Sequence, residues 1–75
     1  MTPIGDACLS ALEAVAQERL ESSISLQEAA GQPGITEAER WRITWEAAAE
    51  TDAYLHLIEL ARYYRLRRVQ QRVAA

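Results

Sequence analysis

The chain has 75 residues, of which 49% are hydrophobic and 25% charged, and its net charge is −3. This composition excludes disordered, collagen-like and low-complexity chains, and the length allows one domain that is too small to bury much apolar surface alone. A net negative charge argues against the strongly basic body of most nucleic-acid-binding proteins. We therefore expect one folded domain over residues 1–75 that is completed by a partner chain.

The charges are unevenly distributed along the chain. Residues 1–61 hold all eleven acids and three arginines, whereas residues 62–75 hold five arginines and no acid. The single Cys8 and the single His56 are too few for an internal disulfide or a Cys/His zinc site. No signal-like start and no long uncharged apolar run occurs, so we expect a cytoplasmic protein that does not enter a membrane.

A first amphipathic helix is predicted over about residues 3–30. Thr2 followed by Pro3 has the pattern of an N-cap and a first helical residue. The apolar residues that then recur at three- and four-residue steps are Ile4, Cys8, Leu12 and Val15, with Leu9, Ala16 and Leu20 beside them. Serines at positions 22, 23 and 25 interrupt the good helix formers, and a break there is the alternative to one continuous helix.

A turn is predicted at residues 31–35, where Gly31-Gln32-Pro33-Gly34 concentrates the helix breakers. Gly31 suits the left-handed position that follows many helices. Thr36 and Glu39 have the spacing of a capping box. The second helix is therefore expected to begin at about residue 37.

The second helix should run without Gly or Pro to about residue 73, roughly 50 Å at 1.5 Å per residue. Alternating four- and three-residue steps give it a seam with the a/d spacing of a coiled coil. The seam consists of Trp41, Trp45, Ala48, Asp52, Leu55, Glu59, Arg62, Leu66, Val69 and Val73. A break at Thr51-Asp52, both acceptable caps, would give three helices instead.

Between residues 53 and 66 the second helix is apolar nearly all round, which is typical of a helix covered on more than one side. One hairpin can cover the seam, so a second, identical chain is expected on the opposite side. The predicted dimer interface is Tyr54, Leu57, Ile58, Leu60, Ala61 and Tyr64. The expected fold is all-α: an antiparallel helical hairpin that dimerises into a four-helix bundle. A third internal helix, or tolerated exposed aromatics, is the alternative.

Three charged residues, Asp52, Glu59 and Arg62, occupy seam positions that should be apolar. Charged groups in a bundle core cost stability unless paired, and they fix orientation in return. Arg19 falls inside the apolar stripe of the first helix and is the expected partner of either acid. The alternative is a solvated stretch of seam.

No motif for catalysis or for cofactor binding is present. Asp52, His56 and Glu59 share a helix face, but the His-x-x-Glu order reverses that of di-metal bundles and no second pair completes a site. Cys8 is expected to act as a compact hydrophobe. We therefore expect no enzymatic activity, no cofactor and no metal.

Two groups of residues are candidates for partner binding. Trp41 and Trp45 lie one turn apart beside the loop, and Trp is enriched at binding hot spots, although both could instead cap the bundle core. Arg65, Arg67, Arg68 and Arg72 form a basic end that could meet nucleic-acid phosphates, an acidic protein surface, or carboxylates of the molecule itself.

Arginine without lysine, together with abundant alanine, indicates a GC-rich bacterial or phage genome. The hairpin with a capped turn is similar in plan to small bacterial and phage regulators, including Rop-like dimers, and to small helical co-chaperones of type III secretion. We expect a small non-enzymatic helical interaction protein, a regulator that inhibits or chaperones a host or cognate protein. The alternative is a nucleic-acid-associated regulator that uses the basic end.

Overall fold

Two packed helices make up the molecule. The computed structural model describes residues 5–74, and the side chains of residues 5–73. Helix α1 spans Asp6–Ala30 and helix α2 spans Glu37–Ala74. The helices lie side by side as an antiparallel hairpin that is 60 Å long and 16 Å across. The all-α hairpin expected from the sequence is therefore confirmed.

Helix α1 begins at Asp6, later than the expected start near residue 3. Gly5 is extended, with φ −74° and ψ 163°, and joins the helix only through its carbonyl, which accepts a hydrogen bond from the Leu9 N–H at 3.1 Å. The predicted cap at Thr2 and helix start at Pro3 lie outside the described residues. From Asp6 onward α1 continues without a break through its serines, and α2 continues through Thr51-Asp52.

The turn uses a different glycine from the expected one. Gly31 has right-handed angles, φ −83° and ψ −5°, and its N–H still donates to two carbonyls of the last turn of α1 at 3.2 Å. The left-handed residue is Gly34, with φ +87°. Two residues later Thr36 caps α2, because its Oγ1 accepts a hydrogen bond from the Glu39 N–H at 3.1 Å. The Thr36 half of the predicted capping box is thus present, and the left-handed glycine lies two residues before it.

The helices meet along a line of small side chains. Ala16, Ser23, Ala47 and Ala61 are all at most 4% exposed, and Leu9 joins them as the large apolar member. Within each helix these residues are spaced by multiples of seven, so they stay on one stripe where two helices cross at a shallow angle. Small side chains let the two backbones approach closely, but they bury little apolar volume.

Ser23, which is 1% exposed, ties the helices together in the middle of this line. Its Oγ lies 2.7 Å from Thr51 Oγ1 and 3.2 Å from the Ala47 carbonyl oxygen. The Gln27 amide donates to the same Oγ at 3.1 Å, and the Thr51 hydroxyl donates to the Ala47 carbonyl at 3.0 Å. A buried hydroxyl requires such partners, and no buried side-chain polar atom lacks one in the part of the chain that is described. A serine that suggested a helix break therefore holds the two helices in register.

The seam of α2 lies on the outside of the hairpin, the reverse of the expected arrangement. All ten seam residues are exposed, whereas Ala61, predicted at a dimer interface, is buried against α1. The reason is the size of the side chains: Ala47 and Ala61 permit a closer helix approach than Trp41 or Trp45 would. Helix α2 thus carries two stripes of residues with a seven-residue repeat, the seam and the stripe that contains Ala47 and Ala61. The stripe with the smaller residues faces α1.

The Ser23 contact is testable by overpacking. We expect Ser23→Leu to lower the free energy of unfolding by about 1–3 kcal/mol, because the line of small side chains has no room for an isobutyl group. Urea denaturation followed by circular dichroism measures this. Ser25→Leu, at an exposed position of the same helix, should change stability by less than about 0.5 kcal/mol. Equal effects of the two variants would show that Ser23 does not lie at the helix contact.

The two turn glycines should respond differently to alanine. Gly34→Ala is expected to lower the free energy of unfolding by about 1–2 kcal/mol, because a Cβ is disfavoured at φ +87°. Gly31→Ala should not destabilise the protein, since its Cβ would meet only carbonyl oxygens, at 3.6 and 3.8 Å. Thermal melts of both variants check this pair, and a greater loss from Gly31→Ala would contradict the assignment of the turn.

Candidate interaction surfaces

The hairpin exposes far more large apolar side chains than it buries. Of the described residues, five are buried, namely Leu9, Ala16, Ser23, Ala47 and Ala61. The exposed large apolar residues are Val15, Ile24, Trp41, Trp45, Leu55, Leu60, Tyr63, Leu66, Val69 and Val73. Apolar side chains left uncovered in this way are available for contact with another molecule.

The seam is the longer of two apolar surfaces. Six of the exposed large apolar residues belong to it, and they follow one side of α2 for roughly 50 Å, from Trp41 to Val73. Trp41 is 60% and Trp45 71% exposed, so neither indole caps the interior of the hairpin. Trp41 also lines a shallow cleft beside the turn with Glu37, Arg40 and Thr44. Both tryptophans are therefore available for contact with another molecule.

The second surface is an open groove between the two helices, on a different side of α2 from the seam. Its lining consists of Cys8, Ala11, Leu12, Val15, Leu57, Leu60 and Tyr64. Three residues of the predicted dimer interface, Leu57, Leu60 and Tyr64, thus line the groove, while Tyr54 and Ile58 are half-buried. Cys8, expected as a packed hydrophobe, is exposed as a free thiol.

Acids of α1 pair with part of the basic end. Arg65 Nε donates to Glu13 Oε1 at 2.8 Å, and Arg68 forms an ion pair with Asp6. The remaining candidates, Arg67 and Arg72, are exposed, and the Arg67 guanidinium lies 5.8 Å from the centre of the Tyr63 ring. Of the three predicted uses of these arginines, the structure shows pairing with the molecule's own carboxylates at Arg65 and Arg68.

The Asp6–Arg68 pair also shifts the titration of both groups. A hydrogen bond from the Arg68 guanidinium, reinforced by its charge, holds the pKa of Asp6 below its ordinary value. The same hydrogen bond raises the pKa of Arg68. Both side chains lie at the open end of the hairpin, where the start of α1 meets the last turns of α2.

Arg19 has a different partner from the expected one. Its Nη1 lies 3.2 Å from both carboxylate oxygens of Glu50, and it contacts neither Asp52 nor Glu59. The Arg19 side chain is 49% exposed, so the pair is solvated and contributes less than about 1 kcal/mol. Asp52 and Glu59 remain exposed on the seam.

The face with Asp52, His56 and Glu59 is also exposed. His56 Nδ1 lies 3.0 Å from the Asp52 carbonyl oxygen of its own helix. Across residues 5–74, no three His, Cys, Asp or Glu side chains come together in a way that could hold a metal ion. No helix in the same range is long and apolar enough to span a membrane.

Comparisons of the chain with protein-family models, with curated proteins and with solved structures give no match.

Two features of the sequence indicated contacts that were not predicted from it. The small residues at seven-residue spacing marked the buried stripe that contains Ser23. Asp6 and Glu13 are seven residues apart near the N-terminus. Because the chain reverses direction at the turn, they come to lie beside the arginines near the C-terminus.

The pH dependence of stability tests the Asp6–Arg68 pair. Because the pKa of Asp6 is lower in the folded protein, the stabilisation is present above the ordinary pKa of an aspartate and is lost as pH falls through the lower folded-state value. We expect the melting temperature of Asp6→Asn to fall less than that of the wild-type protein when the pH is lowered from 6 into the acid range in which Asp6 becomes protonated. Glu18→Gln, which removes an exposed acid of α1, is the matched control, and an equal effect of both variants would contradict the pairing.

Proposed function

We propose that this chain is a small non-enzymatic interaction protein, a regulator that forms a homodimer and inhibits or chaperones a partner protein. The observation that carries the proposal is the surplus of exposed apolar side chains, ten large ones against five buried residues in the described part. A hairpin alone buries too little area to offset the entropy of ordering its chain, so further apolar contact is needed.

Two separate apolar surfaces support two different contacts. The seam extends along α2 alone, whereas both helices contribute to the groove lined by Leu57, Leu60 and Tyr64. In our proposal a second copy covers one surface and the partner protein binds the other. Trp41 and Trp45 on the seam and Tyr64 in the groove are aromatic side chains of the kind that is enriched at binding hot spots.

Nucleic-acid binding is the alternative function, and the pairing of the basic end weakens it. Arg65 and Arg68 are occupied by Glu13 and Asp6, which leaves Arg67 and Arg72 as exposed cations of the candidate set. The acids of the rest of the molecule would repel a polyanion. Exposed Tyr63 beside Arg67 is the feature that favours this alternative, since aromatic rings stack on bases.

The amino-acid composition supports a bacterial or phage origin and a cytoplasmic location for the proposed regulator. Eight arginines without a lysine fit a bacterial or phage gene, and the single exposed Cys8 fits the reducing cytoplasm. A small regulator of this kind would act on another protein in the same compartment.

A pull-down with matched surface variants tests the function. We expect the tagged wild-type protein to retain a discrete protein from a bacterial extract at about 0.15 M and about 0.5 M salt, because apolar contacts are little screened. One of two variants should release it, either Leu60→Glu in the groove or Leu66→Glu on the seam, according to which surface binds the partner protein. Ala14→Glu, at an exposed position of α1 outside both surfaces, should not.

Two outcomes would contradict this function. Retention of the same protein by both surface variants would show that neither surface binds it. A gel shift with a submicromolar midpoint at about 0.15 M salt, weakening steeply as salt rises, would favour the nucleic-acid alternative.

A further inference from the structure

We propose that a second copy of this chain covers the seam, in an antiparallel contact between the two α2 helices whose two-fold axis lies level with residue 57. The inference rests on the proposed homodimer and specifies which surface forms it and in which register. It also assigns Trp41 and Trp45 to the dimer and leaves the groove for the partner protein.

The spacing of the seam is the first argument. Its ten positions are separated by steps of four and three that read the same in both directions. In an antiparallel pair of helices, each a position meets a d position of the other helix, so one register engages all ten at once. Its layers pair Trp41 with Val73, Trp45 with Val69, Ala48 with Leu66, Asp52 with Arg62, and Leu55 with Glu59 of the second copy. A shift by one heptad would leave either Trp41 and Trp45 or Val69 and Val73 without a facing seam residue, depending on its direction.

The charged seam residues are the second argument. This register sets Asp52 against Arg62 of the second copy, and Glu59 lies three residues before Arg62 on the same helix, within pairing distance. Each Arg62 guanidinium therefore lies between two carboxylates, and all three charged residues of the seam gain a partner. A parallel dimer would instead place Asp52 beside Asp52 and Arg62 beside Arg62, which is repulsive.

The charge of the two halves of α2 is the third argument. Residues 37–57 carry five acids and two arginines, while residues 58–74 carry five arginines and one acid. Antiparallel packing lays the acidic half of one helix along the basic half of the other. The arrangement is thus complementary over the whole contact, beyond the Asp52–Arg62 layers.

The size of the contact is the fourth argument. Six large exposed apolar side chains per copy, at roughly 100 Å² each, give on the order of 1,200 Å² of buried surface, which is within the range of specific protein interfaces. The groove has seven lining residues and none is charged, so it offers no comparable pairing with itself. The seam is therefore the surface that fits a second copy.

Sedimentation equilibrium of the full chain tests which surface dimerises. We expect a dimer for wild type and for the groove variant Leu60→Glu, and at least a tenfold weaker dimer for Leu66→Glu. Arg62→Asp should weaken the dimer by facing Asp52 of the second copy, and adding Asp52→Arg should restore it. All these positions are exposed in the hairpin, and circular dichroism of each variant verifies that its helices are retained.

Disulfide trapping in a Cys8→Ser background tests the register. Ala48 and Leu66 share a layer in our arrangement, so the double variant Ala48→Cys/Leu66→Cys should form a covalent dimer on oxidation. Each single variant should not, because two copies of residue 48, or of residue 66, lie about 27 Å apart along the axis. In a parallel dimer the single variants would cross-link.

Several results would overturn this inference. A wild-type monomer would overturn it, as would loss of the dimer in Leu60→Glu but not in Leu66→Glu, or cross-linking of the single cysteine variants. Absence of cross-linking in the double variant would overturn the register. A trapped dimer of the expected kind that retains no protein in the pull-down would instead contradict the proposed function and leave the dimer geometry intact.

Discussion

Close contact between two helices along small side chains determines the rest of this structure. Ala16, Ser23, Ala47 and Ala61 bring the backbones near enough for the Ser23 hydroxyl to reach the Ala47 carbonyl of the other helix. This contact determines how closely the helices approach but adds little hydrophobic stabilisation, because alanine and serine bury little apolar area. The larger apolar residues are consequently displaced to the outside, where they form the seam and the groove.

The hairpin could be predicted from the sequence because its signals are local. Pro33, Gly34 and the Thr36 cap act within a few residues of the turn, and helix formers dominate on both sides of it. The face of α2 that meets α1 could not be predicted in the same way. Its seven-residue repeat is present in two stripes, and the choice between them depends on how near two backbones can come, which is a property of the packed pair.

The same reasoning explains which parts of the candidate sites were predictable. The basic end follows from residue type and position, and the sequence identified it. The exposure of Trp41 and Trp45 could not be predicted in this way, because the sequence placed both on the seam that was expected to face α1. The pairing of Arg65 with Glu13 and of Arg19 with Glu50 depends on the register of two antiparallel helices. That register is fixed by the Ser23 contact, whose partners are 24 and 28 residues away along the chain.

The narrow outline of the hairpin affects how the molecule behaves in flow and in rotation. A body 60 Å long and 16 Å across has an axial ratio near four. Such a rod experiences more friction than a sphere of equal mass, so it leaves a gel-filtration column early and tumbles slowly about its short axes. An elution volume calibrated with globular standards would therefore overstate the mass of a single hairpin, whereas light scattering and sedimentation equilibrium, which do not depend on shape, report the mass itself.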